Sequence, residues 1–339
     1  MASTTRRPVA VVTGGTGGVG RAAVREFAAR GYDVAVLARV RAGLDAAVED
    51  VEAAGGRALG IAADVADHQA VRQAAERAEQ ELGAIDVWVN VAFTGSLAFF
   101  WDTSPQEYAR MTEVTYLGQV NGTRAALERM RPRDRGVVVN VGSAMAYRSI
   151  PLQSAYCGAK HAVKGFSESV MTELIHEKSN VKLCMIQLPG LNTPQFNWNL
   201  SRMPRHPMPV PPVFQPELAA KGIAFLAEHP RRNMWVGVST ALTIWAERLA
   251  PKLVDLYLGR KGVQSQQTGK DAPRWGANLE HPADEETDRG VHGAFDTMAH
   301  ERDPVLWMSQ RRRGVLGGLA AAAAVGLAAA CGRAARASR

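Results

Sequence analysis

The sequence predicts an α/β fold built on a doubly wound parallel sheet, and three observations carry that prediction. Short apolar runs alternate with longer helical patterns from the N-terminus to about residue 260. Several of these runs, such as Val9-Ala10-Val11-Val12, are apolar at every position, as strands covered by helices on both faces must be. A glycine-rich turn over 13–20 joins the first run directly to the first helical pattern. Strand, helix and strand repeated in this order close through right-handed crossovers.

In chain order, strands are expected over 8–13, 33–37, 58–62, 85–89, 137–141 and 181–188. The intervening helices are expected over 19–30, 42–54, 67–82, 105–131 and 153–178. Beyond residue 188 the pattern changes. Pro204, Pro207, Pro209, Pro211 and Pro212 preclude a regular helix. A helix over 216–228, a short strand over 234–237 and an amphipathic helix over 241–258 follow. Residues 261–310 are polar and rich in Gly, Pro and Asp, and are expected to form an extended, partly disordered arm. The expected organisation is therefore one α/β domain over 1–260 with a substrate lid at about 191–215, an arm over 261–310, and a basic-flanked tail over 311–339.

Composition narrows the class. Of 339 residues 46% are hydrophobic and 22% charged, which excludes disorder of the whole chain. The net charge of +7 comes from the tail, where six arginines meet no acid; elsewhere the charges nearly balance, which speaks against nucleic-acid binding by the body. Cys157, Cys184 and Cys331 are too scattered for a disulfide framework or a zinc site, so no metal is expected and a reducing compartment is. No signal-peptide core precedes the first strand, and a cytoplasmic location is expected. Residues 314–332 form 19 uncharged positions between arginine clusters. As a helix they would span about 28 Å, close to the roughly 30 Å hydrocarbon core of a bilayer. Eight are Ala and only five Leu or Val, so the drive for insertion is weak. Membrane association through this tail, spanning or interfacial, is weighed against a detached Ala-rich helix.

The turn reads Thr13-Gly14-Gly15-Thr16-Gly17-Gly18-Val19-Gly20. Glycines permit a tight turn and close approach of backbone to a pyrophosphate, and the helix start supplies free N–H groups. Gly14, Thr16, Gly18, Val19 and Gly20 are the candidate phosphate contacts. An acid closing the second strand would bind the ribose of NAD, but that point carries Arg39, and Asp33 sits at the opposite end. Arg39 suits a 2′-phosphate, which favours NADP over NAD.

Tyr156 and Lys160 lie one helical turn apart in Tyr156-Cys157-Gly158-Ala159-Lys160, and Ser143 lies 13 residues before Tyr156, just after a strand. With the phosphate loop, this set resembles the short-chain dehydrogenase/reductase family over roughly residues 8–245. Asp64-Val65, Asn90, and Pro189-Gly190 followed by Thr193 add to the resemblance. The resemblance implies a Rossmann sheet of about seven strands and NAD(P)-dependent interconversion of a carbonyl and an alcohol. It further implies that Asp64 and Val65 contact adenine, that Asn90 and Ala92 line the ribose side, and that Pro189 and Thr193 meet the diphosphate or nicotinamide end. The sequence departs from the family pattern twice. Asn90-Val91-Ala92-Phe93 replaces the usual Asn-Asn-Ala-Gly, and Thr115 stands where the family has its fourth catalytic residue, an asparagine.

The chemistry also follows from the residues. Reduction of a ketone by hydride leaves an alkoxide in need of a proton, which a tyrosine can supply if its pKa of about 10 is lowered. A lysine ammonium about 4 Å away contributes roughly 4 kcal/mol at an effective dielectric near 20, on the order of three pKa units before desolvation. Ser143 would hold the carbonyl oxygen. Phe196, Trp198, Met203, Met208, Val210 and Phe214 make 191–215 apolar, which fits a hydrophobic substrate. The alternative from another class is an NADP-binding sensor or scaffold without turnover; a sugar-nucleotide epimerase ranks below it because no sugar-nucleotide domain follows. Expected partners are a small-molecule carbonyl or alcohol substrate, further copies of the chain as a homo-oligomer, and a membrane through the tail. Nucleic acid is not among them.

Overall fold

Seven strands form one parallel sheet: β1 (Val9–Thr13), β2 (Asp33–Ala38), β3 (Ala58–Ala62), β4 (Ile85–Asn90), β5 (Val137–Ser143), β6 (Lys182–Leu188) and β7 (Asn233–Trp235). Their spatial order is β7-β6-β5-β4-β1-β2-β3. The computed structural model describes residues 6–272, 277–283, 285–312 and 314. The expected tail span over 314–332 therefore lies, but for its first residue, outside the described residues. Among the described residues no helix is long and apolar enough to cross a membrane.

Helices α1 (Gly18–Ala29), α2 (Arg41–Ala53), α3 (His68–Leu82), α4 (Pro105–Thr112), α5 (Gly118–Met130) and α6 (Ser154–His176) alternate with the strands. Residues of α1 and α2 bury against one face of the sheet, with Phe27, Val51, Val12 and Ile186 in one core. Residues of α3, α5 and α6 bury against the other, with Ala75, Met130, Met171 and Val138 in a second. The fully apolar strands are thus explained: both faces are covered. Asp67 caps α3 by accepting from the Gln69 and Ala70 N–H groups, and Ser104 with Glu107 forms a capping box on α4.

Two expected helices are divided. The pattern over 105–131 is interrupted by a π-helical turn, Glu113–Leu117, between α4 and α5. Beyond α7 (Gln195–Trp198) and α8 (Pro216–Glu228), the pattern over 241–258 becomes α9 (Val238–Leu249) and α10 (Pro251–Lys261). Pro251 causes the second break, because a residue before proline is driven from the helical region, and Ala250 has φ −148° and ψ 55°.

The largest difference concerns residues 261–310, expected as an extended, partly disordered arm. Their described part is docked on the body. Gln267–Asp271 pairs antiparallel with Arg205–Pro207, and Ala299–His300 pairs parallel with Val213–Phe214. Phe295 packs edge-on to Phe196 at 5.7 Å, and Leu306 of α11 (Pro304–Gln310) joins the core beside α8. Asp303 accepts from the Gly237 N–H at 2.7 Å. A few buried anchors (Leu279, Val291, Phe295, Leu306) spaced along a polar segment suffice to dock it.

Candidate active site

The strand order reverses between β1 and β4, and the crevice at such a point collects the C-terminal ends of the strands. The glycine loop leaves β1 there. The Gly14 N–H donates to the Leu37 carbonyl at 2.7 Å, tying the loop to β2. Gly14 has φ +68°, and a Cβ there would meet the Ala92 backbone at 2.8 Å; a Cβ on Gly20 would meet the Gly14 carbonyl at 2.0 Å. Both positions require glycine. Thr13 accepts through Oγ1 from the Val91 and Ala92 N–H groups, fixing the end of β4 beside the loop. Gly14, Thr16, Gly18, Val19 and Gly20 all line the resulting cleft.

The second strand delivers Arg39 to the same cleft. Asp33 sits at the far end of β2 as expected, buried and bound to Arg57. Asp64 and Val65 also line the cleft. Burial alone would raise the Asp64 pKa, but the Ala66 N–H and the Arg110 guanidinium offset it and hold the carboxyl below its usual range. Asp64 is therefore a carboxylate already paired with Arg110.

Ser143 ends β5, and Tyr156 and Lys160 share one face of α6; all three line the cleft. The Lys160 ammonium donates to the Val141 carbonyl at 2.7 Å and lies 5.5 Å from the Tyr156 ring centroid. Electrostatics depart from the expectation that Lys160 draws the phenol down. Burial dominates both groups: it pushes the Tyr156 pKa up against an opposing Ser143 hydrogen bond, and it pulls Lys160 down to about 7. With its ammonium turned to Val141, Lys160 spends its nearest contact on backbone rather than on the phenol. The phenol therefore keeps its proton at neutral pH, and its raised pKa opposes the release of that proton until a further charge is placed beside it.

Two candidates do not reach the cleft. Asn90, expected on the ribose side, is fully buried; its amide donates to Asn140 at 2.8 Å and to Thr123 at 3.1 Å, binding β4 to β5 and α5. Ala92 lines the cleft in its place. Thr115, expected as a catalytic residue, is also fully buried. Its hydroxyl accepts from the Thr94 N–H at 3.0 Å and donates to the Thr94 carbonyl at 2.7 Å. The hydroxyl spends its one proton on Thr94 and pins the 93–95 loop. Pro189 and Thr193 do line the cleft, and the buried Thr193 Oγ1 has no hydrogen-bond partner among the described residues.

Sequence reasoning singled out Phe93 as a departure and missed two other groups. The Phe93 ring stands edge-on to Tyr156 at 5.7 Å, an apolar wall where the family pattern has a glycine. Phe196 and Trp198 line the cleft, and Asn278 and Leu279, from the segment expected to be a partly disordered arm, line it too. No periodicity marks that polar segment, so no sequence signal pointed to it.

The short chain dehydrogenase model matches residues 8–203. The chain belongs to that family. It is 32% identical to the uncharacterized oxidoreductase YxnA of Bacillus subtilis over 263 residues, 76% of this chain and 73% of that one. It is 34% identical to a 3-oxoacyl-[acyl-carrier-protein] reductase of Bos taurus over 175 residues, 52% of this chain and 73% of that one. Among solved structures, a metagenomic short-chain oxidoreductase in complex with NADP matches with a TM-score of 0.57 and 25% identity, covering 68% of this chain and 95% of that one. The fold is thus that of an oxidoreductase with a nucleotide-binding sheet, and the enzyme is of the alcohol/carbonyl class. A nicotinamide dinucleotide fits the residues present: a glycine cradle that a Cβ would fill, and an orphaned buried hydroxyl at Thr193.

Proposed function

We propose that this short-chain dehydrogenase is an NADP-dependent oxidoreductase that interconverts a carbonyl and an alcohol on a hydrophobic substrate. The observation that carries the proposal is the convergence of Ser143, Tyr156 and Lys160 on the cleft that the glycine loop and Arg39 also line. Gly14, Thr16, Gly18, Val19 and Gly20 would hold the diphosphate, Arg39 the 2′-phosphate, and Asp64, Val65 and Ala92 the adenosine side. Pro189 and Thr193 would meet the nicotinamide end. NADPH, when bound, supplies the hydride.

The protein's own residues do the rest. Ser143 donates to the substrate carbonyl oxygen and polarises it. Tyr156, whose pKa burial has raised, is protonated at neutral pH and gives its proton to that oxygen as negative charge develops there. Lys160 stabilises the resulting phenolate and orients the ribose. Phe93, Phe196 and Trp198 exclude water and favour an apolar substrate. Thr115, expected as a catalytic residue, has no part in this scheme, because it is fully buried and its hydroxyl proton goes to the Thr94 carbonyl.

The test is NADPH consumption over aliphatic, steroid-like and aromatic ketones. Ketone-dependent consumption by at least one class supports the proposal. Tight NADPH binding with no consumption across all three would instead favour a sensor or scaffold, a reading that no residue of the site favours.

A cytoplasmic enzyme held at a membrane surface is part of the same reading. It draws on the arginine-flanked 314–332 stretch and on exposed Leu242, Trp245, Leu249, Leu253 and Leu256 along α9 and α10, beside Arg248, Lys252, Arg260 and Lys261. Flotation with anionic vesicles, with and without residues 314–339, tests it, and failure of the full chain to float counts against it. Self-association into a homo-oligomer is tested by sedimentation of the full chain.

A further inference from the structure

The segment after α10 returns across the cleft and places oxygen atoms against two groups that the proposed reading reserves for phosphates. At the first, one Arg39 Nη donates to the Leu279 and Glu280 carbonyls at 3.0 and 3.1 Å. The other donates to the Asn278 Oδ1 at 2.6 Å. At the second, the Gly18 N–H at the start of α1 donates to the Gly290 carbonyl at 3.0 Å. Anchors hold both contacts in place. The Asn278 N–H donates to the Trp198 carbonyl at 2.8 Å, Leu279 is buried with Met111 and Ala155, and Asp288 pairs with Arg21 at 3.3 Å. The cavity left beneath is about 240 Å³, below the roughly 300–1,000 Å³ of sites for ligands smaller than a dinucleotide. The returning segment itself lies beyond residues 8–203, the part that matches the family model.

We infer that this C-terminal segment is an intramolecular competitor for the cofactor, and that Asn278 sets cofactor selectivity by competing with the 2′-phosphate for Arg39. The inference rests on the proposed nucleotide reading of the cleft. A backbone carbonyl or amide oxygen is a neutral acceptor, whereas a phosphate oxygen is charged and binds a guanidinium roughly twice as strongly. The phosphate therefore wins, but against occupied donors. Apparent affinity is reduced by the fraction of molecules in which the segment is withdrawn. A nucleotide lacking the 2′-phosphate does not need Arg39, so the Asn278 contact weighs on NADP and not on NAD. Asn278 thereby narrows the preference that Arg39 alone would confer.

The experiment compares 2′,5′-ADP with 5′-AMP by calorimetry on the full chain, because the two probes differ only in the 2′-phosphate. Asn278→Ala is expected to raise the preference for 2′,5′-ADP about tenfold over that of the unaltered protein, the effect of freeing one hydrogen bond to a charged group. Leu279→Ser, which removes the apolar anchor, is expected to tighten both nucleotides. Hydrogen exchange over 277–283 is expected to speed up when 2′,5′-ADP is added to the unaltered chain. An unchanged or reduced preference in a folded Asn278→Ala chain overturns the inference while leaving the nucleotide site intact. Slower exchange over 277–283 on adding 2′,5′-ADP also overturns it, since the segment would then be a roof over bound nucleotide. If neither probe binds any form of the protein, the nucleotide reading falls together with the inference. Should Leu279→Ser fail to fold, the Asn278→Ala ratio and the exchange result decide.

Discussion

The cleft has two walls of different construction. The inner wall is made of strand ends and the glycine loop, held by the parallel hydrogen-bond ladder and by close backbone approaches such as Gly14 to Ala92. The side chains proposed as catalytic stand on β5 and α6, whose apolar residues are buried in the two cores flanking the sheet. The outer wall is the returning C-terminal segment, held by hydrogen bonds, two short strand pairings, ion pairs such as Asp288 with Arg21, and apolar anchors spaced at Leu279, Val291, Phe295 and Leu306. A wall of the first kind moves only if the sheet does. One of the second kind can open locally, since few buried apolar contacts hold it. On the proposed reading, chemistry belongs to the rigid wall and access to the separable one.

The comparison can be broken first at Tyr156. Tyr156→Phe removes only a hydroxyl from the inner wall, so kcat should fall about 10²- to 10⁴-fold while NADPH affinity stays within about twofold. Retention of more than about a tenth of kcat would remove Tyr156 from its role. Arg39→Ala acts where the two walls meet. NADPH affinity should weaken about 10- to 100-fold and NADH affinity stay nearly constant, as titration of both cofactors would show; an equal loss for both would deny Arg39 its selectivity.

A smaller effect follows from Lys160. Burial lowers its pKa to about 7, and an anionic dinucleotide placed beside it must raise that value. Binding then takes up a proton. Affinity for NADPH should be greatest below pH 7 and fall as pH rises above it, by at most about tenfold per unit, until the pKa of the bound form is passed. Calorimetry in buffers of different ionisation enthalpy reads the proton directly, and a flat affinity from pH 6 to pH 9 would contradict the assignment.

The smallest change is expected at Thr115. Thr115→Val leaves the Thr94 N–H and carbonyl without their partner, at a cost of about 1–3 kcal/mol in stability. Thermal melting should show that loss and Thr115→Ser should recover much of it, while kcat falls less than about tenfold. A larger loss of kcat at unchanged stability would return Thr115 to the catalytic machinery.

How much of this was legible in the sequence follows the same division. Strands apolar on both faces and the strand–glycine–helix junction announced the sheet, because burial on two sides leaves no polar positions to confuse the period. Tyr156, Lys160 and Ser143 were legible because helical spacing and a strand end fix where they must stand. Asn90 and Thr115 were misplaced for a shared reason: position in a motif does not reveal that a side chain's hydrogen bonds are already taken by Asn140 or Thr94. The outer wall was illegible. Its contacts to Arg39 and Gly18 run through backbone carbonyls, which every residue type carries.

The most direct test of the account is the fate of the hydride. The protein is incubated with a ketone that it consumes and with NADPH carrying deuterium on the transferred face of the nicotinamide C4, and the alcohol is examined by mass spectrometry. One deuterium per molecule at the carbinol carbon is the predicted result, with formation of the labelled alcohol abolished in Tyr156→Phe. Alcohol formed without label, or formed equally fast by Tyr156→Phe, would contradict hydride transfer in the cleft that Ser143, Tyr156 and Lys160 line.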